Sequence, residues 1–257
     1  MKAHSMEKLS LRRPTELVHA GNHRGWVRPA WLWSCALGSA AAMSISALAA
    51  VVVRTYLAQY RSGTHQVVGA ELMALAAGLE GAVIGYFQWR VLRRLFPTMT
   101  SGPWVATTMI AAGSGCLLSW LPTSFALTSV LASRIGDVTM GPLVIARISL
   151  VTGALIGLVW GVAQYAVLRL HAHRAGSWIV ASTMSWTVSF AWLYLAAFWP
   201  DRTVSPVIHV ALGALAGLVF GLVSGLLQGH VLARLHSRLL LHTHPESRRK
   251  ITKRQHD

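Results

Sequence analysis

One apolar, glycine-stepped helix occurs three times in this chain, and this repetition constrains the fold more than any other feature. Its fullest form runs from Gly153 to Arg169, with a glycine every four residues before Gln164 and a Val-Leu-Arg ending. The second half of the pattern occurs earlier, around Gln88, and the whole of it later, around Gln228. Uncharged runs of about 20 residues can cross the hydrocarbon core of a bilayer. The repetition therefore predicts an all-α, polytopic membrane protein.

The composition supports this class. Hydrophobic residues make up 54% of the 257 residues and charged residues only 12%, which is too little charge to coat a water-facing surface. A net charge of +15 would suit nucleic acid, but the basic residues lie between and outside the apolar runs. That placement is typical of membrane orientation. We therefore expect the lipid bilayer as partner and no nucleic acid, with basic tails that can bind anionic lipids.

Six apolar spans follow one another along the chain. They cover about residues 31–53, 67–89, 103–121, 143–170, 177–199 and 206–232. Basic tails, 1–30 and 233–257, flank them. Because successive spans alternate sides, 18 of the 23 Lys and Arg residues fall on the side that holds both termini. The positive-inside rule then predicts a plasma-membrane or bacterial inner-membrane protein with both termini in the cytoplasm.

Tryptophans near the predicted cytoplasmic ends of the spans agree with this orientation. Indole rings favour the membrane–water interface, where an apolar ring and a polar N–H are both accommodated. We expect six of them at that interface: Trp26, Trp31, Trp33, Trp89, Trp104 and Trp178.

The repeated unit is a helical hairpin, because a span opened by a tryptophan precedes each glycine helix. Trp31, Trp104 and Trp178 open these spans. Each hairpin begins and ends on the cytoplasmic side, so the copies are parallel and related by an axis along the membrane normal. The three copies cover about residues 31–95, 103–170 and 177–235.

The glycines predict how the helices pack. Residues four apart on a helix share a face, and a face without side chains lets a neighbouring backbone approach closely. We expect spans 2, 4 and 6 to form an inner ring inside spans 1, 3 and 5. Gln88, Gln164 and Gln228 would then meet at one depth near the cytoplasmic face. They would act as hydrogen-bonding helix glue, the favoured interpretation, or line a small polar vestibule.

Two charged residues suggest an ion pair inside the membrane. Glu71 and Arg147 each lie 17 residues before the glutamine of their repeat, so equal register predicts equal depth. Pairing near the outer interface would lower the cost of placing both charges at the edge of the hydrocarbon.

Glu80 is an acid in the middle of a span. It lies eight residues before its glutamine, where the other copies carry Ile156 and Phe220. An intramembrane carboxyl of this kind marks a proton or substrate path, or is held protonated by a hydrogen bond to the backbone, a serine or a threonine. The second interpretation is slightly favoured.

The end of the first glycine helix resembles a motif of uncharacterised bacterial multi-pass membrane proteins, cyanobacterial ones among them. In those proteins, repeated Gly-rich spans end in Gln-Trp-Leu-Val-Leu-Arg-Arg and a tryptophan-led span follows. The matching run here is Gly81 to Arg94, with Gln88-Trp89 at its centre, whereas the later copies read Gln164-Tyr165 and Gln228-Gly229. The resemblance covers most of residues 69–235. It implies a bacterial inner-membrane protein and carries no known activity.

Motifs of catalysis do not occur in the sequence. It has no His-Glu-x-x-His, no Gly-x-Ser-x-Gly and no paired catalytic acids, and its histidines and cysteines lack zinc-site spacing. We therefore predict no catalytic, metal or cofactor site. A non-enzymatic structural or accessory subunit is the first hypothesis, with another membrane protein or a second copy of the chain as partner. The alternative is a transporter or channel for a small solute or protons, with Glu80 in its pathway.

Overall fold

Helices account for all the regular structure in the computed structural model, which describes residues 15–57, 63–124, 142–172, 174–198 and 205–243. The six helices, numbered α1 to α6 in chain order, are Thr15–Val52, Gly63–Leu95, Ser101–Ser124, Pro142–Leu168, Ser177–Phe198 and Pro206–Thr243. A π-helical turn, Val53–Leu57, continues α1. The all-α prediction is confirmed for these ranges.

Four of the helices are long and apolar enough to cross a bilayer, by length and composition within the described residues. The qualifying stretches are Trp26–Tyr56, Val67–Leu95, Ser149–Leu168 and Pro206–Ser237, which belong to α1, α2, α4 and α6. The chain is thus a multi-pass membrane protein, while crossing by all six helices stays a prediction. The predicted tails lie partly outside the described residues, at 1–14 and 244–257.

Two helices extend further than the hydropathy of the sequence predicts. The first begins at Thr15, well before the predicted span start at residue 31, and the last continues to Thr243, past residue 232. The bilayer surface does not end a helix, because intrahelical hydrogen bonds continue in water until a stop signal occurs. Pro29 lies inside α1 without ending it. Hydropathy therefore marks the apolar part of these helices and not their ends.

The six helices form a closed ring. Each helix packs against the next one in the chain, and the most extensive contact, between α1 and α6, joins the two ends. Among the described residues, α2, α4 and α6 make no extensive backbone contact with one another. The predicted inner ring of even-numbered helices is therefore wrong, because these helices alternate with the odd-numbered ones around a single ring.

The glycine faces explain this arrangement. A Cβ added at Gly81 would lie 2.5 Å from the carbonyl oxygen of Thr108 on α3. One added at Gly157 would lie 2.8 Å from the α5 backbone, and one added at Gly225 would lie 2.8 Å from Cα of Leu32 on α1. Each glycine face thus meets an odd-numbered helix at backbone distance, where dispersion contacts hold helices together in lipid.

A methyl group at the α1–α6 contact should destabilise the protein. In Gly221→Ala, the new Cβ would collide with the carbonyl of Cys35 and with Cα of Ala36. We expect a loss of about 1–3 kcal/mol, typical of overpacking, and a lower Tm in detergent. Gly102→Ala is the matched control, because nothing lies within 4 Å of that position on α3. Since alanine favours helix over glycine by about 1 kcal/mol, the control should be unchanged or more stable, and a stabilised Gly221→Ala would contradict the packing argument.

Candidate functional site: a polar layer inside the helix ring

The three repeated glutamines are buried inside the ring, and two of them are directly joined. The Gln164 amide donates to the Gln88 side-chain carbonyl at 2.9 Å, which links α4 to α2. The same amide contacts the Thr108 hydroxyl at 3.2 Å, which adds α3. Gln228 instead donates to the Ser182 hydroxyl on α5 at 3.3 Å. These are interhelical hydrogen bonds of the kind that the glue interpretation requires.

The glutamines share a second kind of contact. Each directs its amide toward the side chain four residues after the tryptophan that opens the preceding helix. The three pairs are Gln88 with Cys35 at 3.8 Å, Gln164 with Thr108 at 3.2 Å, and Gln228 with Ser182 at 3.3 Å. The residue types differ, but each is small and carries a sulfur or oxygen atom that can accept a hydrogen bond.

The tryptophans at the helix starts belong to the core. Trp31, Trp104 and Trp178 are fully buried, and the ring of Trp178 lies 5.5 Å from that of Trp31 and 6.1 Å from that of Trp104, both edge-on. These three rings are therefore enclosed by the helices, whereas Trp33 is 57% exposed, and the depth of the six tryptophans in the membrane stays a prediction. An indole fits either place if its N–H is paired. The sequence signal that distinguished them was their place at the start of the helix that precedes each glycine helix.

One hydrogen bond unites the two sets. Trp178 donates its indole N–H to the side-chain carbonyl of Gln164 at 3.1 Å. We call the six residues the tryptophan–glutamine layer: Trp31, Trp104, Trp178, Gln88, Gln164 and Gln228. Because it draws side chains from all six helices, it is the polar centre of the ring.

Apolar groups enclose this layer on both sides. One helical turn after the glutamines lie three fully buried leucines, Leu92, Leu168 and Leu232, in the same cluster as the three tryptophans. On the other side Trp186 packs 4.9 Å from Trp160 and 4.7 Å from Phe220, measured between ring centroids. The surroundings have a low dielectric, which strengthens each polar contact inside.

Glu80 lies two helical turns from the layer and is only 7% exposed. Its carboxyl accepts a hydrogen bond from the Ser46 hydroxyl, which links α2 to α1. Serine is one of the partners that the sequence predicts for a carboxyl held inside the membrane. Ile156 and Phe220, at the same distance from their glutamines, are buried as well. Glu80 thus occupies a core position that the other repeats fill with apolar side chains.

The suggested pair of Glu71 and Arg147 is not brought together. Both side chains are exposed, on α2 and α4, and the described part of the chain shows no contact between them. Their ion pair stays a prediction. Another basic residue is in contact at the far end of the ring, where the guanidinium of Arg54 lies 3.1 Å from Nε2 of His209. Since arginine only donates, this nitrogen accepts, and Nδ1–H of the same ring donates to the Ser205 carbonyl at 3.2 Å.

In the part of the chain that the structure describes, no three His, Cys, Asp or Glu side chains lie close enough together to bind a metal ion. The chain matches no protein-family model, no curated protein and no solved structure. The candidate site therefore rests on its geometry alone: a buried polar layer, and an isolated carboxyl two turns away.

Removing the central glutamine should loosen three helix contacts at once. Gln164→Leu loses the bonds to Gln88 and Thr108 and leaves the Trp178 N–H without its acceptor. At about 0.6–2 kcal/mol for each interhelical bond, we expect a clear fall in Tm and a shifted tryptophan emission.

The matched control is Thr108→Val, which keeps the side-chain shape and removes one of these bonds. It should lower Tm by a smaller amount. Equal Tm values for wild type and Gln164→Leu would show that the layer does not join the helices.

Proposed function

We propose that this chain is a non-enzymatic structural or accessory subunit of a bacterial inner membrane, built as a closed ring of six transmembrane helices. The observation that carries the proposal is the continuous packed core. Three buried layers follow one another along the helix axes: the leucines, the tryptophan–glutamine layer and the aromatic cluster around Trp186. Together they include buried residues from all six helices. Such a core makes a rigid unit, which suits a protein that organises or supports other membrane components.

We also propose that the ring consists of three parallel hairpins. The support is the equal register of its contacts, since each glutamine contacts the fourth residue after its own tryptophan. The glycine faces add cyclic order: α2 packs on α3, α4 on α5, and α6 returns to α1. Each hairpin thus presents its glycine face to the tryptophan-led helix of the next hairpin. A third copy that returns to the first closes such an array.

Crossing by all six helices has support in the outer surface of the ring. Ile110 on α3 is 65% exposed and Val180 on α5 is 60% exposed, like the apolar residues on the outside of the other helices. A large exposed apolar surface favours lipid over water. Basic residues support the orientation. The exposed Arg93 and Arg94 lie at the end of α2, and we place this end at the cytoplasmic side, next to anionic lipid.

The proposed orientation can be tested with reporter fusions. Alkaline phosphatase fused after Asp257 should be inactive, because the C-terminus is expected in the cytoplasm, and green fluorescent protein at the same place should fluoresce. Phosphatase fused after Pro200, between spans 5 and 6, should be active. A reversed pattern, or equal activity at both positions, would refute the six-span orientation.

A second function is favoured by one observation, the buried carboxyl of Glu80. Intramembrane acids commonly serve proton or substrate paths, and this one has a hydroxyl partner, Ser46, that could pass or hold a proton. A small-solute or proton-coupled transporter is therefore the alternative proposal. Phe220 occupies the same repeat position as Glu80 and packs with Trp186 in a buried aromatic cluster, which favours the structural role.

Proton flux in proteoliposomes separates the two functions. For a structural subunit we expect dissipation of an imposed pH gradient at the rate of empty liposomes, with no change in Glu80→Gln, which still accepts the Ser46 hydrogen bond. Glu71→Gln is the matched control, because it neutralises an exposed carboxyl on the same helix. A wild-type flux that Glu80→Gln abolishes and Glu71→Gln preserves would replace the structural proposal with the transport one.

A further inference from the structure

Three polar atoms of the tryptophan–glutamine layer are buried without a hydrogen-bond partner among the described residues. They are the indole nitrogens of Trp31 and Trp104 and the side-chain carbonyl oxygen of Gln228. All three side chains are at least nine-tenths buried. We propose that the layer holds bound water, hydrogen-bonded to the two indole N–H groups and to the Gln228 carbonyl. This proposal does not depend on whether the protein is a structural subunit or a transporter.

Register places Trp31 beside Gln228. In the one complete pair of the layer, the tryptophan of the third hairpin donates to the glutamine of the second, Trp178 to Gln164. The same cyclic step pairs the first tryptophan with the third glutamine. The coordinates agree, because Cδ1 of Trp31, the atom next to its N–H, lies 3.3 Å from the Cβ position of Gly229. An unpaired donor and an unpaired acceptor therefore occupy the same region of the core.

The remaining tryptophan does not donate to the glutamine of the preceding hairpin. The cyclic step would pair Trp104 with Gln88, but the Gln88 carbonyl accepts the Gln164 amide at 2.9 Å, and the Trp104 N–H has no partner among the described residues. Like the Trp31 N–H, it needs an acceptor. A buried donor or acceptor that stays unpaired destabilises the folded protein, so three of them in one layer would be costly.

Water has the hydrogen-bonding capacity that these atoms require. A water molecule accepts two hydrogen bonds and donates two, and buried waters typically make about three bonds to otherwise unpaired polar groups. The two indole N–H groups can donate to water and the Gln228 carbonyl can accept from it, so water can pair all three atoms. An ion is disfavoured, because no charged side chain belongs to the layer and an uncompensated charge in apolar surroundings is costly.

A fourth polar atom lies one helical turn from the layer. The hydroxyl of Ser224, four residues before Gln228 on α6, is also buried and without a partner in the described residues. At the same distance from their glutamines, the other glycine helices carry Ile84 and Trp160. The proposed water is confined to the tryptophan–glutamine layer, and the fully buried leucine layer closes it off on the other side.

X-ray radiolytic footprinting of the full chain in nanodiscs tests this inference, because hydroxyl radicals formed from bound water oxidise buried side chains next to it. Trp31 and Trp104 should be oxidised several-fold faster than Trp160, which is as deeply buried but packs in the aromatic cluster. Exchange into ¹⁸O-labelled water should label the products. Oxidation of Trp31 and Trp104 no faster than that of Trp160 would show a dry layer and overturn the proposal.

A pair of variants identifies the Gln228 carbonyl as a ligand of the water. Gln228→Leu removes the carbonyl and the bond to Ser182, whereas Ser182→Ala removes the same bond and keeps the carbonyl. Trp31 oxidation should fall several-fold in the first variant and stay at the wild-type rate in the second. Tm should be lower in Gln228→Leu than in Ser182→Ala.

The reverse order of the two Tm values would contradict the proposed role of the Gln228 carbonyl. If the carbonyl were unpaired and dry, its replacement by an apolar group of similar size would be neutral or stabilising, and Gln228→Leu would melt at or above Ser182→Ala. That result would overturn the role of Gln228. Should Gln228→Leu fail to fold, the wild-type comparison of Trp31 and Trp104 with Trp160 decides the proposal by itself.

Discussion

Close backbone contact between glycine faces and tryptophan-led helices is the interaction on which the structure depends. In lipid, no hydrophobic effect drives helices together, so association relies on dispersion contacts and interhelical hydrogen bonds. The last helix carries the longest glycine series, and its glycines lie against the backbone of the first helix at Cys35 and Leu32. This contact closes the ring. The buried layers exist only because the ring is closed, since an open array would expose its polar inner faces to lipid.

The closed ring also determines which polar side chains meet in its interior. Gln164 holds α4, α3 and α2 together and accepts the N–H of Trp178, so a single amide joins much of the polar layer. Gln228 has fewer contacts, and its carbonyl is where we place bound water. Under that proposal, interhelical hydrogen bonds and bound water occur in the same layer.

Two positions at which one repeat differs from the other two carry buried polar side chains. Where two repeats place Ile156 and Phe220, the first has Glu80, and this carboxyl binds the Ser46 hydroxyl. Where two repeats place Ile84 and Trp160, the third has Ser224, whose hydroxyl has no hydrogen-bond partner within the described ranges. A buried polar group lowers the stability of the fold unless it is hydrogen-bonded. At these two positions the core therefore lacks the apolar side chain that the other repeats carry. These two positions are the natural targets for functional work.

Much of the fold follows from the sequence alone, because its signals are local. Uncharged runs of bilayer length and glycines at four-residue spacing determined that six helices form, that they are apolar, and that glycine faces carry their contacts. The burial of Glu80 and of the three glutamines also follows from their place within such runs. The ends of α1 and α6 did not, since hydropathy reports the medium around a helix and not its hydrogen bonds.

Only the tertiary structure decided which helices meet. A smooth glycine face is equally compatible with any partner, so one ring of six could not be told from two concentric rings of three until α6 was seen against α1. Likewise, an indole suits the interface or the core, and only the assembled ring shows Trp31, Trp104 and Trp178 inside. Which helices pack together, and which side chains are buried, depend on the path of the whole chain, and no local sequence pattern specifies that path.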